Sequence, residues 1–128
     1  MNYIIVAIVS VVVLFFMMQI WIVRKTKSNK GKDLSGINGE MGKAISNHKS
    51  LVLYFFSPSC SACKVQTPMV EELKKSFPNI FSMDISKDIN LARQVGVMAT
   101  PTTFIVRDKI IQEVLIGSQS KDKLLKHL

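Results

Sequence analysis

The chain has 128 residues, a formal net charge of +8 and 48% apolar residues. With two cysteines and roughly a hundred residues outside one apolar segment, it cannot be two large domains, a disulfide-stapled scaffold or a long disordered protein. Arg24, Lys25, Lys27, Lys30 and Lys32 place five of the 17 basic residues in nine consecutive positions. They stand beside an apolar run rather than over a folded face with polar or aromatic readers, which argues against nucleic acid as a partner.

Residues 3–23, YIIVAIVSVVVLFFMMQIWIV, carry no charge, and only Ser10 and Gln19 are clearly polar. At 1.5 Å per helical residue this run reaches about 31 Å, enough for a hydrocarbon core of about 30 Å. A helix is required despite the β-branched content, because a lone strand in lipid leaves its backbone unpaired. Tyr3 and Trp21 sit near opposite ends, where amphipathic rings favour the interfaces. The alternative, a cleaved signal peptide, lacks its basic start, its shorter apolar run and its small-residue cleavage triplet. Residues 1–24 are therefore read as a single-pass membrane anchor. Its flanking charge places the rest in the cytoplasm by the positive-inside rule, with export past a signal-anchor as the alternative. Residues 25–36, KTKSNKGKDLSG, read as a basic juxtamembrane linker.

Residues 37–128 form the foldable part. A short helix is expected over 38–48, with Met41, Ala44 and Ile45 on one face, followed by a buried strand over 51–56, LVLYFF. Val65, Met69, Val70, Leu73 and Phe77 recur at helical spacing, which predicts an amphipathic helix over 60–77 with Pro68 kinking it. A strand follows at 80–85, then a helix at 88–96 with Asp88 as N-cap and Gly96 as stop. Strands at 102–107 and 110–116 flank Asp108-Lys109, a turn tight enough for an antiparallel hairpin. A closing helix spans 119–127.

The chemistry concentrates in Cys60-Ser61-Ala62-Cys63, between a buried strand and a helix. Free N–H groups and the positive end of the helix dipole favour an anion there, so a thiol loses its proton more readily. Cys60 is the more exposed nucleophile, and Cys63, three residues on, can turn back to close a disulfide with it. Two other readings exist. A zinc half-site uses the same spacing, but no second cysteine pair is present and His48 and His127 are isolated. The pair could also be inert packing. Met41, Met69, Met83 and Met98 read as core gap-fillers, with Met98 close enough to Pro101 to border the site.

These residues resemble the thioredoxin family. The resemblance rests on YFFSPSCSACK at 54–64, Pro68, MATPT at 98–102 and Gly117 before a final helix, and it covers nearly all of residues 37–128. It implies an α/β thioredoxin-like domain with a central mixed sheet of about four strands flanked by helices, here preceded by one N-terminal transmembrane helix. By resemblance, Cys60 is the nucleophile and Cys63 the resolving thiol. Pro101 matches the family's cis-proline, and Thr100 pairs through its backbone with an extended substrate. An ordinary trans proline opening a strand is the alternative for Pro101.

The implied function is a membrane-tethered thiol-disulfide oxidoreductase in redox homeostasis, acting on protein disulfides and served by a redox donor or acceptor protein. It needs no metal and no cofactor beyond the redox-active Cys60-Cys63 pair. The other function class is a non-catalytic tethered binding module that captures a partner chain or delivers a soft metal.

Several positions depart from the family pattern. Ser59 replaces the usual tryptophan, and Ser61-Ala62 replaces Gly-Pro. Tyr54 stands where a buried aspartate usually helps deprotonate the resolving thiol, which puts efficient general reductase activity in doubt. A position often held by lysine is Ser82. Residues 33–36 are too short and polar for the family's first strand.

Overall fold

The computed structural model describes residues 1–128, with residue 26 described by its backbone alone. In chain order the elements are α1 (Asn2–Lys27), α2 (Gly39–Asn47), β1 (Ser50–Phe56), α3 (Ser61–Ser76), β2 (Ile80–Asp84), α4 (Ile89–Val95), β3 (Thr102–Arg107), β4 (Ile110–Ile116) and α5 (Lys121–Leu125). The strands form one mixed sheet in the order β2-β1-β3-β4. β1 is parallel to β2 and antiparallel to β3, and β3 is antiparallel to β4.

Alternation along β1 divides the core. Leu51, Leu53 and Phe55 face one side, where they join Ile45 of α2, Leu91, Ala92 and Val95 of α4, and Phe104 and Val106 of β3. Val52 and Tyr54 face the other, against Val70 and Leu73 of α3 and Leu124 of α5. A strand covered on both faces reads as a continuous apolar run, which is why LVLYFF carries no polar alternation.

Local signals set the element ends. The Asp88 carboxylate accepts the Leu91 N–H at 3.0 Å, and Gly96 closes α4 in the left-handed region at φ 94°. Asp108 and Lys109 both have positive φ, 51° and 67°, the geometry that turns a two-residue hairpin with the sheet's own twist. α3 runs through Pro68. One expectation for α3 fails: Val65 is 77% exposed. The buried face is instead Cys63, Gln66, Val70 and Leu73, a spacing of three and four that leaves Val65 on the other side of the helix.

α1 is long and apolar enough to cross a membrane over Asn2–Lys25. All its side chains from Asn2 to Trp21 are exposed, so no protein core claims them. The Ser10 hydroxyl donates to the Val6 carbonyl at 2.8 Å, which satisfies it within the helix as lipid requires.

The residues read as a linker are packed against the sheet over much of their length. The Gly31 N–H donates to the Ile111 carbonyl at 2.7 Å, and the Ile111 N–H returns to the Lys32 carbonyl at 3.0 Å. Asp33 bridges Ile110, and Leu34 is 1% exposed in the core cluster beneath α2 and α4. Composition hides this, because backbone hydrogen bonds along β4 and a single leucine do the anchoring. Leu34→Ala should lower the unfolding free energy of the full chain in detergent by about 2–4 kcal/mol, read from the shift of the denaturant midpoint. An unchanged midpoint would mean that Leu34 does not belong to the core.

Candidate active site

β1 and β3 are neighbours in the middle of the sheet, and Phe55 pairs with Thr102. The segment leaving β1 reaches Cys60, and the segment entering β3 contains Thr100 and Pro101. The ladder therefore brings together two stretches forty residues apart. The Thr100-Pro101 peptide bond is cis, as the family resemblance implies. The Cys60 sulfur lies 3.5 Å from the Thr100 carbonyl oxygen.

Cys60 is the N-cap of α3, and its sulfur accepts the Cys63 N–H at 3.2 Å. An N-cap sulfur takes the place usually held by a serine or aspartate oxygen, so a negative charge on it meets unpaired helix N–H groups. Both cysteines are free thiols; Cys60 is half-buried and Cys63 buried. Burial pulls the Cys60 thiol upward. Hydrogen bonds from the Cys63 thiol and N–H, from Thr100 and from the Ala62 N–H more than offset this, so Cys60 titrates below its ordinary value. Cys63 shifts the other way. Burial raises it first, the hydrogen bond to Cys60 and the charge on Cys60 raise it further, and a Ser57 backbone bond and Thr100 only partly counter them. The pair is thus divided into one thiol disposed to ionise and one disposed to keep its proton.

Tyr54 lies beneath the cysteines, fully buried, and its hydroxyl is 2.9 Å from the Thr67 hydroxyl. Burial pushes its pKa up to about 12, with the nearby Cys63 and Cys60 adding to the shift against the Thr67 bond. Tyr54 is therefore a neutral phenol where the family usually has a carboxylate, and no carboxylate is among the groups that shift either cysteine. Ser82, at the other departing position, donates its hydroxyl to Glu71 at 2.9 Å, exposed and away from the sulfurs.

Three contributors escaped the sequence reading. Thr67 supports Tyr54, and the Gln66 side chain accepts the Gln119 N–H at 3.2 Å, tying α3 to the segment after Gly117. The Ser118 hydroxyl reaches the Ala62 carbonyl at 3.4 Å. Gln66 and Thr67 lie three and four residues after Cys63, so helical periodicity alone places them on its face. Met98 is 41% exposed rather than a core filler. A shallow groove of about 290 Å³, lined by Phe56, Pro58, Cys63, Thr67 and Pro68, opens beside the pair. A larger cavity of about 820 Å³ runs along the outer edge of β2 against α4 and contains neither cysteine. Among the described residues, no group of three or more His, Cys, Asp or Glu side chains could hold a metal ion.

The thioredoxin family model matches residues 37–128, well over half of the chain. The chain belongs to the thioredoxin family. It is 32% identical over 84 residues to thioredoxin 2 of Plasmodium berghei (strain Anka), covering 60% of this chain and 54% of that one. It is 35% identical over 78 residues to a disulfide bond formation protein of Brevibacillus choshinensis, covering 58% of this chain and 66% of that one. The chain thus spans just over half of the first relative and just under two thirds of the second. Among solved structures, oxidised mitochondrial thioredoxin 3 from Saccharomyces cerevisiae superposes with a TM-score of 0.60 at 25% identity, covering 70% of this chain and 88% of that one. Residues 37–128 are accordingly a thioredoxin-family domain with Cys60 and Cys63 side by side.

The divided pair has a pH signature. Because the Cys60 value is lowered, its thiolate persists as pH falls below the range of about 8.5 typical of a free thiol, and it is lost only through the lowered value. Iodoacetamide added to the reduced full chain should therefore modify Cys60 at least about tenfold faster than Cys63 at neutral pH, as exposure and ionisation together require. Mass mapping across pH 5–10 checks it; equal rates at the two cysteines would contradict the division.

Proposed function

We propose that the protein is a membrane-tethered thiol-disulfide oxidoreductase that exchanges disulfides of protein substrates through Cys60 and Cys63. The observation that carries this reading is the asymmetric pair at the start of α3, with an accessible, ionisation-prone Cys60 against the Thr100 carbonyl. The Cys60 thiolate attacks one sulfur of a substrate disulfide; that S–S bond breaks, and the departing substrate sulfur takes up a proton. A mixed disulfide joins Cys60 to the remaining substrate sulfur. Cys63 then gives up its proton and attacks Cys60, the mixed disulfide breaks, and the substrate leaves with two thiols. Two electrons have passed from the cysteine pair to the substrate, and the reverse sequence oxidises a dithiol.

Thr100 and Pro101 border the sulfur, and in this proposal the Thr100 backbone pairs with the extended substrate as in the family. The exchange uses no cofactor beyond the cysteine pair, and a donor or acceptor protein resets that pair after each turnover. Tethering is supported by the length and exposure of α1; the basic cluster at its C-terminal end favours the cytoplasmic side by the positive-inside rule. Extracytoplasmic placement is the alternative.

A second reading, partner capture, is favoured by one observation. Cys63 has a raised pKa and a neutral phenol beneath it, an arrangement that disfavours ionisation of the resolving thiol and so favours a longer-lived mixed disulfide.

The full chain in detergent should reduce insulin with dithiothreitol. Cys60→Ser should lower the rate to background, and Cys63→Ser should accumulate mixed disulfides resolved on non-reducing gels. Turnover absent in the native chain together with stable trapping would favour capture; neither turnover nor trapping would remove the thiol-exchange reading altogether.

A further inference from the structure

We infer that the catalytic end of the domain faces the bilayer. The inference rests on the tethered reading and adds an orientation to it. It follows from the direction in which the chain runs between the anchor and the sheet.

Leu34 donates its N–H to the Lys109 carbonyl at the start of the β4 edge, Asp33 bridges Ile110, and Gly31 donates to the Ile111 carbonyl. Lys30 then pairs with Glu113 at 3.7 Å. Traced back toward the anchor, the chain therefore climbs β4 from its first residues to its middle. The far end of β4, Ile116, pairs with Thr102, the residue after Pro101. The anchor is thus approached from the cysteine end of the sheet, and the Asp108-Lys109 hairpin marks the opposite end. From Glu113 to Ile116 the remaining rise is about 10 Å.

The junction has no slack. The Ser28 N–H donates to the Arg24 carbonyl at 2.9 Å, Lys30 to Lys27 at 3.2 Å and Lys32 to Asn29 at 3.0 Å, so successive turns carry α1 into the domain. The Asn29 side-chain amide donates to the Gly96 carbonyl at 2.8 Å, and the Lys32 ammonium donates to the Gln94 carbonyl. A side chain at Gly96 would lie 2.5 Å from that amide, and its φ of 94° favours glycine independently. The junction is therefore wedged against the end of α4, from which residues 97–101 leave for the active site.

Charge fits the same placement. Arg24, Lys25 and Lys27 stand at the end of α1, where the junction would meet anionic headgroups, while Lys30 and Lys32 are engaged by Glu113 and the Gln94 carbonyl. The exposed residues next to Cys60 include Val65, Ala62 and Met98, and the acids at the same end of the sheet, Asp84 beside Phe56 and Asp88, are accompanied by the exposed Lys64 and Lys87.

The test uses the full chain in nanodiscs of phosphatidylcholine and phosphatidylglycerol carrying a headgroup energy acceptor. In a Cys60→Ser, Cys63→Ser background, a donor dye is attached through Ser118→Cys at the catalytic end or Lys109→Cys at the hairpin. The two positions are separated by about 20 Å of strand, so transfer should be severalfold stronger from position 118. Equal transfer, or stronger transfer from 109, would overturn the orientation. A ten-residue Gly-Ser insertion between Lys27 and Ser28 should abolish the difference; if the difference survives, the wedged junction is not its cause. Flotation of the same labelled chains with vesicles separates the two levels: no flotation overturns the tether and the orientation with it, while flotation with equal transfer overturns the orientation alone.

Discussion

The pairing of Phe55 with Thr102 in the central ladder is the constraint on which the active site depends. β1 and β3 are buried on both faces, so a slip of one residue would turn Phe55 and Phe104 out of one core and Tyr54 and Ile105 out of the other. The register is therefore set by packing far larger in area than the site itself. Its by-product is that the end of β1 and the start of β3 stand side by side, one delivering Cys60 and the other the Thr100 carbonyl. Neither segment has a reason of its own to be there.

Within that frame, a small set of dipoles separates two chemically identical thiols. Cys60 sits in the N-cap position and collects N–H groups; Cys63, one turn into the helix, is enclosed by protein and faces the charge that Cys60 acquires. The difference is one of solvation and hydrogen bonding rather than of residue type. Tyr54 deepens it. A buried phenol held neutral against Thr67 fills the space under the pair without supplying a carboxylate as proton acceptor.

The link between helix and domain shows how little is needed to turn a tether into a fixed joint. Two backbone hydrogen bonds to Ile111, one buried leucine and an asparagine against Gly96 suffice, because each uses a group the sheet or α4 leaves unpaired at its edge. The first part of the β4 edge, around Lys109–Ile111, is covered by the same contacts, which shortens its open strand edge.

The sequence by itself determined the membrane-length helix, the order of the elements, the cap at Asp88, the stop at Gly96, the Asp108-Lys109 turn and the placement of the cysteines at a helix start. Each of these is a local matter of hydrophobic period, capping or turn chemistry, written in a few adjacent residues. It also pointed, through family resemblance, to the cis bond before Pro101. The buried face of α3 was misjudged at Val65, because Cys63 and Gln66 occupy positions that hydrophobicity alone assigns elsewhere. The packing of residues 31–34, the support of Tyr54 by Thr67, the opposite shifts of the two thiols and the course of the junction along β4 were decided only by the tertiary structure. All four depend on groups brought together across tens of residues, and on backbone donors and acceptors that every residue carries and no composition reveals.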